Sequence, residues 1–252
     1  MKRTQLIIML LVVFCLTACG RKGDELNLET PEKSIETAMT ALKAMDLNTF
    51  NQCTDNYVTT YTNWIGIPVE TEYKIFNELL QPRRQSGKRY QNNKKLAEKI
   101  VENLSWEVID IQDDGNSAEI KISVTNKNMA DAGGNYAVQL IENMLESDGI
   151  GIGELTVNLW NLGDDQSSFI SCIDATERMC TRDVTVQIKK MDNGNWIVEL
   201  SDEFINAFMG DIDSENYSED IEKRLESLES AYEEKIEKWA EKFEDKVEGW
   251  FD

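Results

Sequence analysis

Apolar residues repeat at helical spacing along the first third of this chain and at strand spacing in two later stretches. Ile35, Ala38, Met39, Leu42 and Met45 share one helical face, opened by Thr30 at the N-cap position and Pro31 at the first helical position. Asp46 is placed to cap a second short helix bearing Leu47, Phe50 and Cys53. Tyr73, Phe76 and Leu80 predict a third helix from about residue 70 to 80, stopping before Pro82. Leu96, Ile100 and Leu104 predict a fourth, preceded by a basic stretch of Arg83, Arg84, Lys88, Arg89, Lys94 and Lys95. The period then changes to two. Ala118, Ile120, Ile122 and Val124 alternate with Glu119, Lys121, Ser123 and Thr125, and pair across an Asp114-Gly115-Asn116 turn with residues 106 to 111. A second hairpin sets Val184, Val186 and Ile188 against Trp196, Val198 and Leu200 across Asp192-Asn193-Gly194.

Between the hairpins the pattern predicts a helix with Ala137, Leu140, Ile141, Met144 and Leu145, a strand over residues 155 to 159, and a helix over 169 to 179. Ser201 and Asp202 open a short helix through Phe208, and Gly210 closes the domain. Helices first and antiparallel hairpins afterwards give an α+β class in which helices cover one face of a curved sheet. A long stripe follows: Leu225, Leu228, Tyr232, Ile236, Trp239, Phe243, Val247 and Trp250. Its steps of three, four and four match the natural helical pitch, so one straight amphipathic helix is expected. Such an apolar stripe must be covered, by the same chain, by a second copy or by a partner protein. The short link after Gly210 favours the same chain.

The N-terminus carries a different signal. Lys2 and Arg3 precede an apolar run from Leu6 to Leu16, and Leu16-Thr17-Ala18-Cys19 closes it. The run is too short for a permanent span, which needs about 20 apolar residues. It resembles the lipobox of bacterial lipoproteins, which implies cleavage before Cys19, diacylation of its thiol and a cell-membrane location facing outside the cytoplasm. The expected organisation is a signal peptide over 1–18, a tether over 19–28, an α+β domain over 29–210 and the acidic helix over 211–252.

The formal net charge is −21, and loss of Lys2 and Arg3 makes the remaining chain two charges more negative. A surface this acidic repels nucleic acid and anionic headgroups, leaving cations, basic peptides or basic proteins as partners, or mere solubility as its purpose. Histidine is absent, which excludes Ser-His-Asp and Cys-His catalysis and His-ligated zinc. No nucleophile elbow, P-loop or Rossmann fingerprint occurs. Gly149, Gly151 and Gly153 lack phosphate-loop spacing and read as a helix stop and loop. Asp110, Asp114 and Gly115 imitate a calcium loop, but its twelfth position is Lys121 where a bidentate Glu is needed. No metal site or cofactor is expected.

Once Cys15 leaves with the signal and Cys19 takes lipid, Cys53, Cys172 and Cys180 remain. They read as three buried thiols, as one disulfide between Cys172 and Cys180 plus a thiol, or as a three-Cys metal site. On one continuous helix the two later cysteines stand about 12 Å apart, beyond bridging, so a disulfide requires a break near Thr176.

The segments TPEKSIETAMTALKAMDLNTFNQCTDNYV and NGNWIVELSDEFINAFMGDI resemble the opening and the closing hairpin and helix of nuclear-transport-factor-2-like (ketosteroid-isomerase-like) domains in lipid-anchored proteins of Gram-positive bacteria. The resemblance covers about residues 29 to 210. It implies a cone-shaped domain, in a group without assigned activity, and a role in binding a small apolar ligand or an envelope protein. Trp64, Trp106, Trp160 and Trp196 are candidates to line the cone or to fill its core. Enzymatic members of that wider fold place an Asp base opposite a Tyr or His. Asp55, Asp110, Tyr57 and Tyr61 are the residues available for the alternative, an enzyme using an Asp and Tyr pair. The basic stretch is suited to an anionic ligand, to docking the acidic helix, or simply to solvation.

Overall fold

The computed structural model describes residues 26, 28–63, 65, 68–81, 85–147, 166–212 and 217–248. The expected signal segment, Cys19, Trp64, Trp160, Arg83, Arg84, the three glycines at 149, 151 and 153 and the expected strand at 155 to 159 lie outside these residues.

Side-chain caps set the first two helices. Thr30 Oγ1 accepts from the Lys33 amide at 3.3 Å and opens α1 (Pro31–Lys43). Asp46 accepts from the Thr49 amide at 3.2 Å and opens α2 (Leu47–Cys53). Next come an antiparallel ribbon of β1 (Tyr57–Thr62) and β2 (Pro68–Tyr73), the single turn α3 (Asn77–Leu80) and α4 (Gly87–Val101). This corrects the helix expected over residues 70 to 80. Val69, Thr71 and Tyr73 also alternate at strand period, Tyr73 pairs with Tyr57, and Phe76 adopts a left-handed φ of 54° that a continuous helix forbids. Tyr73 and Phe76 are half-buried, and Leu80 alone of the three is buried.

The main sheet has the order β3 (Ser105–Asp113), β4 (Ser117–Lys127), β5 (Met179–Lys190), β6 (Trp196–Val198), all antiparallel and curved. Both expected hairpins therefore belong to one sheet, with Ile120 opposite Val186 and Ile122 opposite Val184. Ala118, Ile120, Ile122, Val124, Val184, Val186, Ile188, Trp196 and Val198 line its covered face. Helices α1 and α2 and α7 (Asp202–Phe208) bury Ile35, Met39, Leu42, Phe50, Phe204 and Phe208 in the same core. The other face is polar. Thr125 bonds Thr181 at 2.7 Å, Gln187 bonds Glu119 at 2.9 Å, and Lys121 pairs with Asp183 at 3.1 Å.

Two helices, α5 (Met129–Glu146) and α6 (Ser167–Ala175), are inserted between β4 and β5 and meet through the edge-on rings of Tyr136 and Phe169, 5.6 Å apart. The helix expected to reach residue 179 stops at Ala175, because the Thr176 hydroxyl and amide turn back onto the Cys172 carbonyl and β5 starts at Met179. After α7, Gly210 takes φ 76°, and a Cβ there meets the Lys127 carbonyl oxygen at 1.8 Å, so only glycine fits. The chain ends its described course in α8 (Glu219–Glu248), the long C-terminal helix.

Candidate functional site

Helix α8 and the cleft at its root hold the polar and apolar groups that the core does not absorb. On β5 the residues facing the helices are Ile188, Val186, Val184, Arg182 and Cys180, so an arginine and a thiol continue an apolar row. Arg182, its side chain 47% exposed, finds a carboxylate partner at the end of that face. Asp211, 2% exposed, supplies it: both Nε and Nη2 of Arg182 donate to Asp211 Oδ2, while Asn206 donates to Oδ1 at 2.9 Å. Four residues earlier, Arg178 forks onto buried Asp131 at 2.8 and 3.0 Å, and the Ser218 amide donates to the same carboxylate at 2.7 Å. Ser218 immediately precedes α8, so Asp131 ties the root of that helix to α5 and β5 at once. Asn128, Arg178, Thr181, Arg182, Asp211 and Tyr217 line an open cleft of about 380 Å³. Each of the two guanidinium groups is matched by one buried carboxylate, so the two pairs are structural ties that leave no net charge between them.

From this root α8 lies along α5. Ile221 is 7% exposed and comes so close to the α5 backbone that a Cβ on Gly134 stands 2.6 Å from Ile221 Cγ2. Leu225, Leu228 and Tyr232 are half-buried, and Arg224 pairs with Glu142 at 2.6 Å. Lys235 adds a polar clasp to this contact. Its ammonium donates to the carbonyls of Met144, Leu145 and Ser147 at 2.6, 3.0 and 2.7 Å, capping the C-terminal end of α5 with a positive charge. Thirteen residues, from Ile236 to Glu248, then carry α8 about 20 Å further. Ile236 and Trp239 are 40% and 41% exposed. Among the described side chains the stripe is thus most covered by its own chain from Ile221 to Tyr232. The basic stretch is not what receives it: Lys88, Arg89, Lys94 and Lys95 sit exposed on α4, where Arg89 pairs with Glu78 and Lys94 with Glu98.

The other candidates disperse. Trp196 is 2% exposed in the core, with its carbonyl accepting from Ser34 and its ring under the Lys190 ammonium. Trp106 is half-buried beside the same core, and its indole donates to Glu36 at 3.1 Å. Asp55 is engaged by the Lys74 ammonium at 2.6 Å and the Leu200 amide at 2.7 Å. Tyr57 and Tyr61 lie half-exposed on β1, the first bonded to Thr60, and Asp110 is exposed on β3 beside Gln112. The four do not share a described cavity. Asp114 closes the first hairpin turn: the Ser117 and Asn116 amides bond its carboxylate and hold its pKa below the usual value. Among the described residues no group of three His, Cys, Asp or Glu is gathered for a metal ion.

Among the described residues the three cysteines, Cys53, Cys172 and Cys180, are unbridged. Cys172 is buried on α6, whereas Cys180 sits on β5 beside Asp211, so the break at Thr176 does not join them. Burial pushes the Cys53 thiol up to about 12, while it donates to the Thr49 carbonyl at 2.9 Å. Burial also raises Cys172, and burial followed by the Asp211 charge raises Cys180. These are thiols held in their protonated, unreactive form at neutral pH.

The Arg178–Asp131 and Arg182–Asp211 pairs and the Lys235 cap escape a reading by motif. One signal was available: Arg182 falls in line with the inward Val184, Val186 and Ile188 of β5. No protein-family model, curated protein or solved structure matches the chain.

Proposed function

We propose that this chain is a lipid-anchored, extracytoplasmic interaction protein, held at the cell membrane through Cys19 and acting without catalysis. Its α+β domain, of the cone-shaped nuclear-transport-factor-2-like type, serves as the platform and α8 as the presented surface. The observation that carries this reading is on α8: after the stretch fastened to α5 as far as Lys235, Ile236 and Trp239 leave about two fifths of their surface exposed. A protein partner is favoured over a small apolar ligand, since Phe50, Phe204, Phe208, Ile173 and Trp196 fill the space beneath the sheet. The polar rim of α8 is acidic, which suits a protein surface and opposes adsorption to anionic lipid.

Anchoring is tested by Cys19→Ser. Two acyl chains, at about 0.8 kcal/mol per buried methylene, hold a protein at a bilayer where one chain is marginal. The unchanged protein is expected in the membrane fraction with an incorporated fatty-acid label. The variant is expected unlabelled, and either released or unprocessed. Equal labelling and equal membrane partitioning of the two contradict the reading.

A further inference from the structure

The ribbon of β1 and β2 leaves the domain beside the point where the N-terminal chain enters it. The Leu28 carbonyl accepts from the Trp196 amide at 2.9 Å, and the Asp55 amide donates to the Val198 carbonyl at 3.0 Å, where Thr54 also bridges to β6. Both attachments are to β6, two residues and therefore about 7 Å apart. From there the ribbon is held strand to strand, with the Asn56 side chain accepting from the Ile75 amide at 2.9 Å at its root. Of the ten large apolar or aromatic residues exposed among the described ones, four fall within nine positions on it: Tyr57, Val58, Tyr61 and Ile65, at 53, 52, 50 and 56%. Strand β1 consists of Tyr, Val and Thr alone, so both of its faces are free of charge. In sequence, Asn56 to Val69 is the longest run without Asp, Glu, Lys or Arg after residue 20, in a chain that is 29% charged.

We infer that Tyr57, Val58, Tyr61 and Ile65 rest in the headgroup layer of the bilayer that holds the Cys19 anchor. This rests on the reading of the chain as anchored through Cys19. From Cys19 to Leu26 the chain spans about 25 Å at most, and the six residues of β1 rise about 20 Å, so a ribbon rooted beside the tether is long enough to bridge the gap that the tether leaves. The chain as a whole is strongly acidic and is repelled by anionic lipid, so the surface that approaches the bilayer must carry no charge. Tyrosine on an uncharged strand meets that need, since its ring settles at the headgroup level with the apolar body inward and the hydroxyl in water. A second contact so near the anchor is effectively intramolecular, so even a weak one fixes the orientation of the domain at the membrane.

The full-length protein is reconstituted in vesicles of phosphatidylglycerol and phosphatidylethanolamine that contain a lipid with a nitroxide near its headgroup. A nitrobenzoxadiazole fluorophore is placed on Ile65→Cys or, separately, on Thr185→Cys, an exposed position on the polar face of β5. The unsubstituted chain taken through the same labelling is the blank. The label at position 65 is expected to be quenched severalfold more than the label at position 185, with its emission shifted to the blue. Adding Val58→Asp and Tyr61→Asp is expected to bring that quenching down to the level at position 185, while the protein still floats with the vesicles because its lipid anchor is untouched. Floating protein whose two labels are quenched alike overturns the inference and leaves the anchoring intact. Strong quenching at position 65 that these two substitutions do not reduce also overturns it, for the contact is then not made by the ribbon's own side chains. Protein that does not float refutes the anchoring reading, and the inference falls with it.

Discussion

Ile122→Ala is expected to cost about 2–5 kcal/mol of folding free energy, the range for removing a large aliphatic side chain from a well-packed core. Ile122 is 0% exposed, sits on the central strand β4, and stands between Val108 on β3 and Val184 on β5. Its neighbour Lys121 points to the polar face and makes an exposed pair with Asp183. Lys121→Ala should therefore change stability by no more than about 0.5–1 kcal/mol. Urea unfolding of the two variants beside the parent reads both values. An Ile122→Ala loss within about 0.5 kcal/mol places that residue outside the core and breaks the register assigned to β4.

Arg182→Met is expected to cost about 3 kcal/mol or more, because it leaves the Asp211 carboxylate 2% exposed without its cation. The methionine keeps most of the aliphatic stem, so lost packing is a small part of the effect. Adding Asp211→Asn removes the stranded charge, and asparagine tolerates the left-handed φ of 59° at that position. The double variant should recover most of the loss in the same urea titration. A single variant within about 0.5 kcal/mol of the parent shows the pair to be no stronger than a surface contact.

Much of the fold was legible because the signals were local. Thr30, Asp46 and Ser201 cap helices where their spacing said they would, and the turns at Gly115 and Gly194 join strands whose partners β4 and β5 alternate at period two. The 57–73 ribbon was missed because Tyr73, Phe76 and Leu80 fit a helix while Val69, Thr71 and Tyr73 fit a strand. Pairing with the β-branched and aromatic row Tyr57–Thr62, not local preference, decided between them. The root of α8 was illegible for another reason. Asp131 meets Arg178 across 47 residues and Asp211 meets Arg182 across 29, and no motif announces partners brought together by tertiary folding. The stripe of α8 was plain in sequence, but its division at Lys235 depends on where α5 ends.

That division is tested most directly by native-state hydrogen exchange along α8, on dilute protein carrying Cys19→Ser so that neither lipid nor self-association covers the helix. Amides from Leu225 to Lys235 are expected to exchange as slowly as those of α5, because both report opening of one packed unit. Amides from Trp239 to Glu248, beyond the exposed Ile236, are expected to exchange orders of magnitude faster. Uniform protection to Glu248 contradicts the account, for it means that the overhang is already covered by its own chain. Uniform loss of protection from Leu225 onward contradicts it equally, for it means that α8 is not fastened to α5.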